Sequence, residues 1–257
     1  MIAAELAGRS ILAVFAHPDD ESLACGGTLA RLADAGLRVT VISATHGERG
    51  GQNDCARDDA LGQTRVLEMR EAAAILAVAE IVIGDHPDGD LRWEHVSEFH
   101  AELVTFIRRH KPAAVITFDE DGLYWHLDHV GVHERTTSVI RSLGADAPPL
   151  YYVTMAPGVM TEVVEAARRR GWIPPQQGFW SLPAEAFGMD APPSTIHVDV
   201  ADWVPRKLAA ILCHRSQMVD GHPFADLPVA DARRLLGIEH FQRAETPTTG
   251  SPVLEQL

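Results

Sequence analysis

The segment Ala16-His17-Pro18-Asp19-Asp20-Glu21 places an imidazole and three carboxylates directly after the apolar run Ser10–Phe15. A buried strand has no structural need for such a cluster at its exit. Crowded like charges are costly there unless a cation or hydrogen bonds compensate, and a divalent metal would do so. His17 and Asp20 are three residues apart, so in a turn entering a helix both can face one ion. The same residues also suit an acidic helix N-terminus, where Asp19, Asp20 and Glu21 are favoured by the helix dipole. A second segment, His126-Leu127-Asp128-His129, follows the apolar run Ala113–Thr117. Its two histidines share the i, i+3 spacing that brings side chains to one side of a turn. Taken alone they read better as a pair of surface histidines; the two segments together, on one rim, point to a metal. Two histidines, one aspartate and a water make a tetrahedral catalytic zinc site with one open position, whereas structural zinc favours closed cysteine sets. Cys25, Cys55 and Cys213 lie far from these segments and form no C-x-x-C pair. His133-Glu134 begins like a zincin helix, but Thr137 stands where the second histidine is required.

For both segments to serve one ion, the chain must bring them to one rim. Apolar runs at Ser10–Phe15, Arg38–Ser43, Glu80–Ile83, Ala113–Thr117 and Leu150–Val153 read as strands. They alternate with helical patterns at Ser22–Ala35, Gly62–Leu76, His95–His110 and Asp128–Leu143. Such alternation predicts an α/β fold, a parallel sheet covered on both faces by helices. Ligands of such sheets bind at the carboxyl ends of the strands, where the polar clusters after Phe15, Ser43 and Thr117 fall. Ala44–Asp59 reads as a loop, and Pro157–Pro193 as lids and excursions. A strand at Ile196–Val200 and helices from Asp202 to about His214 and over Ala230–Leu236 are expected, with Asp202 as a helix cap. The tail after Ala244 reads as loosely ordered. The reading is one domain over 1–257, with its core at about 10–220 and an irregular C-terminal portion.

The chain has 257 residues and a formal net charge of -14, with 36 acidic against 22 basic residues. That balance argues against a phosphate-tracking nucleic-acid binder and against attraction to an anionic membrane surface. No run of eighteen apolar residues predicts a membrane span, and no secretory signature opens the sequence. Widely spaced, odd-numbered cysteines suit a reduced cytoplasmic protein with free thiols. A small-molecule partner is expected, with no nucleic acid and no membrane insertion; a homo-oligomer is compatible with the sequence.

The AHPDDE segment at 16–21 and the HLDH segment at 126–129 resemble the PIG-L/LmbE family of zinc-dependent N-deacetylases. Leu127 departs from that family's usual His-Pro-Asp-His, at a position that is not a ligand. Further echoes are Thr45–Gly50, Arg65-x-x-Glu68, Asp88-Gly89, Tyr124 and His214–Gln217, so the likeness spans roughly residues 10–220. It implies a Rossmann-like domain with Zn²⁺, or Fe²⁺ or another divalent ion, on His17, Asp20 and His129. It further implies Asp19 as general base and His126 as the group that assists the oxyanion or protonates the leaving amine as an imidazolium. The chemistry agrees: zinc lowers the pKa of a coordinated water to about 7 and polarises a carbonyl. A neighbouring carboxylate can accept the water's proton. Asp128 suits a tautomer-fixing partner of a histidine, or an ordinary helix cap. Tyr124, Glu48, Arg65 and Asp88 are candidates for substrate contacts, or equally for packing and internal ion pairs.

The implied function is hydrolytic removal of an acetyl group from an N-acetylated amino-sugar. The alternatives are an amidase acting on a thiol conjugate, like mycothiol-conjugate amidase, or a non-catalytic metal-dependent carbohydrate-binding module. A base at Asp19 is superfluous to binding alone. A two-metal phosphoesterase wants more carboxylate ligands than the sequence assembles.

Overall fold

Every residue of β1 (Ser10–Phe15) after Ser10 is buried, as a strand covered on both faces requires. The computed structural model describes residues 7–50, 59–176, 179–218 and 222–257. After β1 come α1 (Asp20–Asp34), β2 (Arg38–Ser43), α2 (Asp59–Leu76), β3 (Glu80–Ile83), α3 (Val96–His110) and β4 (Ala114–Phe118). Then follow the distorted turn α4 (Gly122–Trp125), α5 (Leu127–Leu143), β5 (Leu150–Thr154), α6 (Val159–Arg169), β6 (Ile196–Asp199), α7 (Val204–Ile211), α8 (Val229–Leu236) and β7 (Ile238–Arg243). The sheet order is β3-β2-β1-β4-β5-β7-β6. Five strands are parallel, and β7 runs antiparallel to both β5 and β6. The strand order reverses between β1 and β4, the crevice where such sheets receive ligands.

Four expectations change. β7 was not anticipated, because its alternation is inverted: Ile238 is exposed while Glu239 and Phe241 are buried. Glu239 is tolerated inside because Lys207 Nζ lies 2.6 Å away and the amides of Gly27 and Thr28 donate to it at 2.9 and 2.7 Å. Those amides are free because α1 breaks at Cys25 (φ -147°, ψ 28°), so Glu239 caps the helix that restarts there. Gly27 is required at this point, since a Cβ would stand 2.7 Å from the Val200 side chain. Second, the Pro/Gly-rich stretch holds α6, whose Met160, Val163, Val164 and Ala166 join an apolar cluster with Phe187, Leu208, Phe224 and Leu235. Third, the tail is tied down: Val253 and Leu254 are buried in the main core. The Tyr151 hydroxyl bridges it there, accepting from the Val253 amide and donating to Glu255. The cap expected from Asp202 is also absent, as α7 starts after Trp203 with no side-chain cap. Cys55 lies outside the described residues; Cys25 and Cys213 are buried free thiols. Among the described residues no helix is long and apolar enough to cross a membrane.

Candidate active site

The chain leaves β1 at Ala16 and turns through His17-Pro18-Asp19 into α1. The backbone amide of His17 donates to Asp20 Oδ2 at 2.8 Å, fixing the carboxylate beside the ring. His129, in the first turn of α5, meets them from across the crevice. His17 Nδ1 lies 3.3 Å from His129 Nε2 and 3.5 Å from Asp20 Oδ2, and His129 Nε2 lies 3.1 Å from Asp20 Oδ1. A tetrahedral ion with bonds of about 2.0–2.1 Å needs ligand–ligand edges of about 3.3 Å. The donor set therefore fits zinc in both atom type and spacing.

The far sides of both rings set their tautomers. His17 Nε2 lies 3.1 Å from Asp128 Oδ2 and 3.1 Å from Asp88 Oδ1, which assigns it the proton and frees Nδ1 to face the ion. His129 Nδ1 sits 3.1 Å from the Gly122 carbonyl, so its Nε2 is free in the same way. These are the outer partners that orient imidazole ligands. Asp128 is completely buried and also accepts from the amides of Gly89 (2.6 Å) and Leu91 (3.0 Å). Burial works against charge on His17, but Asp128, Asp20 and Asp88 raise its pKa well above the ordinary value. Burial likewise opposes charge on Asp20, yet His129 and His17 hold its carboxyl well below the usual range.

Asp19 is half-buried at the lip of this cluster, in a backbone conformation (φ 126°) that non-glycine residues rarely adopt. Its amide donates to Glu21 Oε2 at 3.0 Å, and its carboxylate accepts from Arg65 Nη2 at 3.1 Å. Burial raises the Asp19 pKa, partly opposed by Arg65 and augmented by Asp20. Strain held by two side chains, Glu21 on the amide and Arg65 on the carboxylate, marks a position fixed for its direction.

His126 precedes α5, with its ring centroid 4.8 Å from His17 and 4.6 Å from His129. One ring nitrogen of each of these three histidines lies within 4.8 Å of the others. His126 Nδ1 accepts from the Asp128 amide at 3.3 Å, which places the proton of the neutral ring on Nε2. Burial, with His129 and His17 adding repulsion, pushes the His126 pKa down to about 3. That direction works against the imidazolium expected from the sequence and favours a neutral N–H donor. Tyr124 packs over the cluster, 5.2 Å from His129, and is backed by Phe179 and Phe187. Burial and the charges of Asp20 and Asp19 raise the Tyr124 phenol pKa well above normal, so it too is a donor.

Glu48, Arg65 and Asp88 all line the polar shell, but each has internal partners. Arg65 reaches the carbonyls of Gly47 (2.8 Å) and Pro18 (2.9 Å) as well as Asp19. Glu48 Oε1 accepts from the Asp88 amide (3.2 Å), and Asp88 accepts from the Arg49 amide (2.7 Å) while touching His17. Gly47, at φ 68°, has no room for a side chain against the Arg65 guanidinium. Two groups were not singled out from the sequence as site residues. Glu21, fully buried, joins Asp19 to His214 (3.2 Å); Glu68 clasps the amide and hydroxyl of Ser216 at 2.8 and 2.7 Å. The signal for Glu21 was its place in the first segment, where an acid following two others reads as helix-dipole complementarity. Trp172 and Trp180 pack in the apolar cluster of the C-terminal portion.

Residues 12–140 match the family model described as PIG-L, GlcNAc-PI de-N-acetylase. Relatives named 1D-myo-inositol 2-acetamido-2-deoxy-alpha-D-glucopyranoside deacetylase occur in Thermobispora bispora and Actinosynnema mirum. The first is 32% identical, covering 94% of this chain and 90% of that protein. The second is 32% identical, covering 94% of each. In fold, the chain is similar to N,N'-diacetylchitobiose deacetylase from Pyrococcus horikoshii (TM-score 0.65, 18% identity, 92% of this chain and 84% of that one). It is equally similar to a 4-carboxy-2-hydroxymuconate hydratase from Pseudomonas putida (TM-score 0.64, 19% identity, 95% and 100%). The fold thus carries more than one chemistry, whereas the sequence match takes in both the His17–Asp20 turn and the His126–His129 turn, and on it this chain belongs to the PIG-L family of GlcNAc-PI de-N-acetylases.

Proposed function

We propose that the protein is a zinc-dependent hydrolase that removes the acetyl group from an N-acetylated glucosaminide, with inositol glycosides as the first substrates to try. The observation that carries this reading is the convergence of His17, Asp20 and His129 on one point, with a strained carboxylate on its lip. The names of the relatives supply the substrate class. Cys25 and Cys213, both free and buried, suit a reducing cytoplasm.

Zinc bound by His17, Asp20 and His129 would supply Lewis acidity toward the acetyl carbonyl and toward water. Asp19 takes a proton from the attacking water; its raised pKa makes it a better base than an ordinary carboxylate. As the oxygen–carbon bond forms, negative charge grows on the carbonyl oxygen. The His126 Nε2–H and the Tyr124 hydroxyl are the donors suited to that charge, and because both are neutral at rest they neither repel a cation nor bind an anion prematurely. When the carbon–nitrogen bond breaks, Asp19 returns its proton to the leaving nitrogen, and the second water proton, left on the new carboxyl group, passes to the amine, so that acetate and the ammonium form of the amino-sugar are released. Arg65 holds Asp19 in reach of both.

The test is a panel of N-acetylated sugars and thiol conjugates assayed for released amine with zinc-reconstituted protein. Amine released from the glucosaminides supports the reading. Fully metallated protein that releases amine from none of the N-acetyl sugars overturns it.

A further inference from the structure

Asp119 and Asp121 follow β4 and are 0% and 1% exposed. Neither belongs to the zinc-fitting set. Both carboxyls converge on one donor, the Leu123 amide, at 3.3 Å from Asp119 Oδ1 and 2.8 Å from Asp121 Oδ1. The other oxygen of each is buried with no hydrogen-bond partner. Two ionised carboxylates in this arrangement would repel at close range without water or a cation to compensate. The groups facing Asp119 are Asp121 and the Leu123 amide from its own turn and Thr154 from β5. His133 of α5 is directed at the Phe118 carbonyl, 3.0 Å away, and Glu120 is exposed.

We propose that Asp119 is held as a neutral carboxylic acid whose O–H donates to the Asp121 carboxylate, and that this pair is a positioning unit for the metal centre. The proton supplies the hydrogen that both orphaned oxygens lack. The pair closes the turn in which the Asp119 carbonyl accepts from the Gly122 amide (3.2 Å) and the Asp121 carbonyl from the Trp125 amide (2.7 Å). That turn carries the Gly122 carbonyl to His129 Nδ1 and so fixes the tautomer that frees Nε2. It is strained, with Leu123 at φ 69° and Trp125 at φ 62°. Gly122 cannot be replaced, because a Cβ would meet His129 Cβ at 2.7 Å. Burial, reinforced by Asp121, pushes the Asp119 carboxyl up to about 8. An unfolded chain releases this proton near pH 4, so the folded state loses stability as pH rises from there to about 8 and levels off above it.

The inference rests on the metal centre proposed above, but its test does not require turnover. Asp119→Asn mimics the neutral acid, and its amide can donate to Asp121. It should keep zinc against a competing chelator within about threefold of wild type, whereas Asp119→Ala should weaken retention about 10–100-fold. Thermal midpoints of the metal-free proteins from pH 5 to 9 give the second readout: wild type should fall relative to Asp119→Asn as pH rises to about 8. Parallel curves, or an Asn variant that loses zinc as readily as the Ala variant, would overturn the proposal. Retained zinc with no deacetylation of any sugar would instead count against the function and leave this inference standing.

Discussion

At the β1–β4 crevice, charged side chains come in clusters along the chain, and Asp20, Arg65, Asp88 and Asp128 are each held by at least two partners. At the β5-β7-β6 end, the buried charge is a single glutamate in a strand, whose partners are a lysine of α7 and two amides of α1. Both arrangements solve the same problem, compensating charge in a low-dielectric interior. They differ in purpose. The crevice groups are aimed at a point where no side chain stands, whereas Glu239 is satisfied entirely by protein. Unspent coordination marks a site; complete satisfaction marks architecture.

The sharpest way to break this comparison is His129→Ala. If the crevice is a metal centre, wild-type protein should carry about one divalent transition ion per chain and the variant should lose most of it, with activity falling to background. Elemental analysis of both proteins decides this. Equal metal content in the two would remove His129 as a ligand.

Asp19→Asn separates the lip from the ligands. Metal content should hold while kcat drops by about 10²–10⁴, the usual loss on removing a general base. Because burial raises the Asp19 pKa, wild-type activity should decline as pH falls through a midpoint above the ordinary carboxylate range. That acidic limb should be missing from the variant. Loss of metal in Asp19→Asn would reverse the roles of the two adjacent aspartates.

His126→Ala is the next smaller change. Removing one donor to a developing oxyanion typically lowers kcat by about 10²–10³, and metal content should stay nearly constant. With its pKa pushed down to about 3, His126 should contribute no alkaline limb to the pH–rate profile. An alkaline limb present in wild type and lost in the variant would restore the imidazolium reading. Loss of metal would make the ring a fourth ligand.

What was legible in the sequence follows the same division. The strands β1, β2 and β4 and the polar residues at their ends could be read because a buried parallel strand is a continuous apolar run, and its exit is conspicuous when it is charged. His17, Asp20 and His129 could be placed on one rim for that reason. The lowered pKa of His126 was not legible, since it depends first on burial and then on two other imidazoles packed within 5 Å of it. Nor was β7: Ile238–Arg243 has one apolar residue facing out and a glutamate facing in. Only Lys207 and the break at Cys25, both remote in sequence, make that pattern a strand. α6 was hidden by the proline and glycine on either side of it, although Met160, Val163, Val164 and Ala167 carry a helical period.

The mildest test for the chemistry is aimed at the other end of the sheet. Lys207→Met keeps the length of the side chain and removes its charge. Glu239 would still accept from Gly27 and Thr28, but its negative charge would be buried without a counter-ion. Breaking a buried pair from one side costs about 3–5 kcal/mol, so the denaturation midpoint should fall clearly. The metal centre should not notice. Asp20 lies in the turn of α1 before the break at Cys25, and its carboxylate is fixed by the His17 amide and by His129, not by the segment that Glu239 caps. Zinc content and kcat per folded molecule should therefore match wild type below the unfolding transition. If Lys207→Met instead releases zinc while still folded, the break in α1 transmits strain to Asp20, and the two ends of the sheet form one cooperative unit rather than a site and its scaffold.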